Sequence, residues 1–118
     1  MEYKQVKWTD EKIKKFWDFE AQFPEKYFTY TFGKIFLDEV RDYITNSKNI
    51  LDYGTGIGLL IPHLLDNNAK VTGTDFSYDS IEIVNNKFKE NPNFEGAFHI
   101  EEIMTLNKKY DLIICNEM

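Results

Sequence analysis

The chain has 118 residues, 42% of them apolar and 29% charged, which suits one small soluble domain with a real core and is too short for two. Twenty acidic residues against 14 basic ones give a net charge of −6, and Arg41 is the only arginine, so a phosphate-backbone partner such as nucleic acid is disfavoured. Cys115 is the single cysteine, which excludes an internal disulfide. The polar start, Met1–Asp10, lacks an apolar signal core, and no apolar run approaches the ~18 residues of a membrane span. A cytoplasmic protein with no membrane partner is therefore expected.

Aromatic residues make up 16% of the chain, and many fall in the first forty positions. Thr9 or Asp10 can cap a helix, and Ile13, Phe16 and Trp17 recur at helical spacing to about Phe19. Phe23-Pro24 interrupts the pattern. A second helix is predicted from near Tyr30 to Ile44, with Phe32, Ile35, Phe36, Val40, Tyr43 and Ile44 on one face. The polar turn Asn46–Asn49 ends it.

The pattern then changes. Ile50–Tyr53 reads as a buried strand and Gly58–Leu65 as a helix, in which Pro62 is tolerated only near the first turn. Lys70–Thr74 is a second strand. Ser80–Glu90 is a helix burying Ile81, Val84 and Phe88. Phe94–Ile100 is a third strand and Tyr110–Cys115 a fourth, with the apolar run Leu112-Ile113-Ile114. This order predicts a doubly wound α/β sheet of about four mostly parallel strands, preceded by N-terminal helices. Residues 1–47 form the helical cap and residues 48–118 the core.

Between the first strand and its helix lies Asp52-Tyr53-Gly54-Thr55-Gly56-Ile57-Gly58. Ligands of open α/β sheets bind beyond the carboxyl ends of the strands, and glycines let a ligand approach the backbone. The same glycines also suit a tight strand-to-helix turn and nothing more. The spacing is G-x-G-x-G, not the G-x-G-x-x-G of dinucleotide sites, and an aspartate before the loop suits a cation better than a diphosphate. Asp75 follows the second strand, 21 positions after Gly54. That offset places an acid against ribose hydroxyls in nucleotide-binding units, and a carboxylate can accept both hydroxyl hydrogens. Asp75 equally suits capping of the helix that starts near Ser77.

From about Asn49 to Met118 the sequence resembles the class I S-adenosylmethionine-dependent methyltransferases, which have a Rossmann-like fold. Ile50–Gly58 resembles the family's first motif and Val71-Thr72-Gly73-Thr74-Asp75-Phe76-Ser77 its second. Tyr110–Met118 resembles its fourth strand and the segment that follows. The resemblance implies S-adenosyl-L-methionine as cofactor, with S-adenosyl-L-homocysteine as product. It places Gly54, Thr55, Gly56 and Gly58 along the methionine end, with Asp52 supporting the loop. Asp75 holds the ribose, and Phe76 lies against the adenine. Glu102 reaches the adenine amino group, although the family often has Asp there, and Ile103 adds an apolar wall. Asn116 lies where cofactor and acceptor meet. N-terminal helices form a lid in similar enzymes, so Trp17, Tyr27 or Tyr30 is a candidate to face the sulfonium. The family's sheet continues past its fourth strand, so a truncated, N-terminal portion is expected, as is self-association through the exposed fourth-strand edge.

Cys115 is expected to be a small buried core residue, and His63 and His99 to be packing or surface residues without metal-ligand spacing. No metal and no catalytic base is assigned. The expected function is methyl transfer to a small-molecule acceptor, with this chain supplying the cofactor-binding part. The alternatives are a non-catalytic cofactor-binding module and, less favoured, an NAD-dependent oxidoreductase.

Overall fold

The computed structural model describes residues 7–26, 28–66 and 68–115. Helix α1 (Asp10–Glu20) is capped by Thr9, whose hydroxyl accepts from the Lys12 amide at 3.2 Å. A 3₁₀ turn, Pro24–Lys26, precedes α2 (Phe28–Glu39) and α3 (Arg41–Thr45). Then come β1 (Asn49–Tyr53), α4 (Ile61–Leu65), β2 (Lys70–Asp75), α5 (Tyr78–Phe88), β3 (Phe94–His99), α6 (Ile100–Ile103) and β4 (Leu112–Cys115).

The four strands form one sheet in the order β3-β2-β1-β4, and every pairing is parallel. The chain adds β2 and β3 on one side of β1, then returns to place β4 on the other. The crevice at such a reversal, beyond the carboxyl ends of the strands, is where open α/β sheets bind ligands. β1 and β2 are central, and Ile50, Leu51, Val71, Thr72 and Thr74 are buried within them. Ile61, Leu64 and Leu65 of α4 and Val84 of α5 complete the core around them. Each such side chain contributes about 1.5–3 kcal/mol through removal from water.

Several expectations change in detail. The predicted helix from Tyr30 to Ile44 is two helices, broken at Val40, whose φ of −109° and ψ of 18° leave the helical region. The break defeats the single apolar face. Leu37 and Ile44 are buried and Phe36 and Val40 half-buried, while Phe32, Ile35 and Tyr43 are exposed. The helix predicted from Gly58 begins at Ile61, because Gly54, Gly56 and Gly58 all have positive φ (78°, 56° and 81°) and no helix runs through them. Pro62 falls in the first turn of α4, where its missing amide hydrogen costs nothing.

Strand β4 corrects one expectation. The pleat points alternate residues of its apolar run to opposite sides. Ile114 is buried, whereas Ile113 is 58% exposed and Cys115 is exposed rather than a core residue. Among the described residues β4 pairs only with β1, so its outer edge is open.

Gly58 joins the loop to the packing of α5. A β-carbon there would meet Phe88 Cε2 at 2.8 Å and Val84 Cγ2 at 3.1 Å, on a backbone with φ of +81°. Gly58→Ala is expected to cost about 2–4 kcal/mol, from overpacking plus the left-handed backbone. Chemical denaturation checks this; a loss below about 0.5 kcal/mol would contradict the packing described.

Candidate functional site

Beyond Tyr53 the chain leaves β1 and folds back against β2. The amides of Gly54 and Thr55 both donate to the Thr74 carbonyl at 2.9 Å, and the Gly58 amide donates to the Thr55 carbonyl at 2.9 Å. Thr55 sits over Gly73, where a β-carbon would lie 3.1 Å from its methyl group. A glycine in the middle of β2 therefore has a specific use: it makes room for the loop.

Two carboxylates hold this loop. The Thr55 hydroxyl donates to Asp52 Oδ2 at 2.8 Å, and the Gly56 amide donates to Asp75 Oδ2 at 2.8 Å. Asp75 Oδ1 accepts the Ser77 amide at 2.9 Å. Asp75 is thus both a loop tether and part of the turn into α5, while the cap of α5 itself is Ser77, whose Oγ accepts from the Ser80 amide at 3.1 Å.

Asp52 is only 2% exposed. Burial pushes its carboxyl up to about 6; the Thr55 hydrogen bond opposes this, and the Asp75 charge adds to it. Burial also raises the Asp75 carboxyl, against the pull of the Ser77, Gly56 and Phe76 amides, with the Asp18 charge adding a further push. Among the described residues neither carboxylate forms an ion pair with a lysine, arginine or histidine. The crevice is an anionic, partly dry surface that a cation would relieve.

The remaining candidates surround this centre. Phe76 follows Asp75 directly and is exposed. Glu102 is exposed on α6 and Ile103 is buried beneath it. Gly58 is placed differently from Gly54 and Gly56, since its open side faces α5. Trp17 is half-buried on α1 with its ring edge-on to Phe16 at 5.1 Å, and Tyr30 is exposed. Tyr27 and Asn116 lie outside the described residues. Of the histidines, His63 is exposed and His99 is buried. No cluster of three metal-binding side chains exists among the described residues, and none of their helices is long and apolar enough to cross a membrane.

Sequence reasoning missed the contact that seats α1. Asp18 accepts the Ser77 hydroxyl at the start of α5, and it also pairs with Lys14 at 2.8 Å. Burial acts against the Asp18 anion, but the Lys14 and Ser77 bonds win and hold its carboxyl below the ordinary range. Lys14 Nζ lies 5.7 Å from the Tyr78 ring centroid. The four-residue spacing of Lys14 and Asp18 was readable, but nothing local points to a partner 59 residues away.

The chain and its fold are similar to those of known proteins. A family model described as "Methyltransferase domain" matches residues 24–118. The chain is 32% identical over 92 residues to the release factor glutamine methyltransferase of Mycoplasma mycoides subsp. mycoides SC, covering 71% of this chain and 33% of that protein. It thus spans about a third of the curated relative's length. Magnesium protoporphyrin IX methyltransferase from Synechocystis PCC 6803, solved with bound S-adenosylmethionine, superposes with a TM-score of 0.63 at 20% identity, over 95% of this chain and 64% of that one. An O-methyltransferase from Bacillus cereus, in complex with S-adenosylhomocysteine, gives 0.62 at 19% identity, over 94% and 55%. These two likenesses establish the shared Rossmann-like fold. With a family model spanning most of its length, this chain belongs to the methyltransferase-domain family.

Proposed function

We propose that this chain binds S-adenosylmethionine at the Gly54–Gly58 loop and forms the cofactor-binding part of an enzyme that methylates a small-molecule acceptor. The observation that carries the reading is the pair Asp52 and Asp75, two burial-raised carboxylates on one glycine loop without a cationic partner among the described residues. S-adenosylmethionine has an ammonium, a sulfonium and one carboxylate, so it brings net positive charge to this surface. NAD brings a diphosphate, which the buried Asp52 would repel.

The residues present fit the cofactor. Asp75 accepts the Gly56 amide on Oδ2 and the Ser77 amide on Oδ1, and its carboxylate retains acceptor capacity for a ribose hydroxyl. Gly54 and Gly56, both at positive φ, allow backbone contact with the methionine end. Phe76 offers an exposed aromatic face for the adenine, with Glu102 as acceptor for its amino group and Ile103 as the apolar wall. Asn116, outside the described residues, is the sequence-based candidate for the acceptor side. α1, tied to Ser77 through Asp18, serves as a lid that brings Trp17 with it; Tyr27 and Tyr30 are the other aromatic candidates to face the sulfonium.

The bound cofactor supplies a methyl group on a sulfonium, already a good leaving group. The chain's part is orientation and exclusion of water. No residue is assigned as general base. The acidic balance and lone arginine favour a small metabolite over nucleic acid. The 32% identity to a release factor glutamine methyltransferase favours a second reading, in which the acceptor is a protein side-chain amide. Incubation with radiolabelled S-adenosylmethionine and either a metabolite extract or a protein extract separates the two by the fraction that becomes labelled. Label in neither, from a chain that binds the cofactor, indicates a non-catalytic module.

Calorimetric titration is expected to show binding of S-adenosylhomocysteine and none of NAD. Asp75→Ala and Gly56→Val should each weaken that binding by about tenfold or more, the first through loss of a charge-assisted hydrogen bond and the second through a β-branched side chain on a left-handed backbone. Folded variants that bind as the parent does would refute the assignment.

Asp52 makes a pH prediction. Its carboxyl is raised from 3.8 to about 6 on folding. The native state therefore holds the extra proton between those values, and this group's contribution makes stability fall as pH rises from about 4 to about 6, then level off. Asp52→Asn removes the step and should make the unliganded protein about 1–3 kcal/mol more stable than the parent at pH 7. A positively charged ligand favours the ionised form, so S-adenosylmethionine affinity should rise through about pH 6 in the parent and rise less in the variant. Parallel profiles for the two proteins would contradict the role of Asp52.

A further inference from the structure

His99 is a buried titratable side chain outside the loop and its two carboxylates. It is 6% exposed at the end of β3. Its Nδ1 accepts the Glu101 amide at 3.2 Å, which caps α6, and its Nε2 lies 3.1 Å from the Phe76 carbonyl oxygen. The ring stacks on Tyr78 at 4.3 Å with planes 9° apart and meets the Phe76 ring edge-on at 6.0 Å.

The two partners dictate the proton's place. An amide N–H can only donate, so Nδ1 is bare. A carbonyl can only accept, so Nε2 carries the hydrogen. The neutral ring is thereby a bracket with one arm on the segment after β2 and the other on α6. α6 has four residues and little helical stability of its own, so its position depends on such supports.

We infer that His99 is a positioning residue for nucleobase recognition: its Nε2–H tautomer ties the Phe76 segment to α6, fixing the separation between Phe76 on one side and Glu102 and Ile103 on the other. The inference rests on the S-adenosylmethionine reading, which places the adenine between those groups. His99 does not touch the ligand. It acts by preventing the two walls from moving apart, so its loss relaxes discrimination between bases as well as affinity.

The test uses His99→Asn. Asparagine is a strong helix cap and can keep the bond to the Glu101 amide, but it lacks the ring and is too short to reach the Phe76 carbonyl. Titration of parent and variant with S-adenosylhomocysteine and with S-inosylhomocysteine, whose base has an oxygen in place of the amino group, reads the selectivity. The parent is expected to prefer the adenosyl ligand by about tenfold or more, and the variant to lose most of that preference. Equal weakening of both ligands, with the preference intact, would mean a merely structural role and overturn the inference. A parent that prefers neither ligand overturns it too. A parent that binds neither instead sinks the function proposed for the site. ¹⁵N spectroscopy of the parent imidazole gives a second check that needs no variant: a bare Nδ1 and protonated Nε2 are expected, and the opposite tautomer would overturn the bracket.

Discussion

The Gly56 amide reaches the Asp75 carboxylate across 2.8 Å, and the crevice takes its shape from that bond. Residues 54–60 belong to no helix or strand, and three glycines there have positive φ. Such a segment is not held by regular backbone pairing. It is fixed instead by the Thr74 carbonyl, by the Asp52–Thr55 bond and by Asp75. Two of these three anchors are carboxylates taken partly or wholly out of water, and both resist ionising there. The site is therefore held at a cost to the unliganded fold, as is common where a protein prepares a surface for a ligand of opposite charge.

Topology decides where that cost falls. β1 has β2 on one side and β4 on the other, so the chain leaving β1 opens into the reversal of the strand order. β1 leads directly into the loop and β2 ends in an acid, and α5 begins three residues after Asp75. The helix is not independent of the loop either, because Val84 and Phe88 lie against Gly58. α1 joins the same assembly from the other end of the sequence through Asp18 and Ser77. α1, the loop and the strand ends are thus coupled by side chains that each have another structural duty.

Much of this is legible in the sequence. The central strands announced themselves as short apolar runs, and the two acids with the glycine spacing marked the crevice. What escaped had physical reasons. The break at Val40 leaves no proline or glycine as a sign, so the periodicity across Phe32–Ile44 continued past a real interruption. Cys115 reads as a core residue because an apolar run at an open sheet edge resembles one in its centre. His99 read as simple packing, since its two hydrogen-bond partners and the Tyr78 stack depend on how β2, β3 and α5 meet.

Backbone amide shifts recorded by NMR during titration with S-adenosylhomocysteine test the central claim most directly. The account predicts that Gly54, Thr55, Gly56 and Ser77 move together and saturate at one ligand per chain, while Lys48 and Asn49, held by Asp111 at the opposite strand ends, stay in place. Shifts centred on Lys48 and Asn49, or a glycine loop that does not respond at saturating ligand, would contradict it.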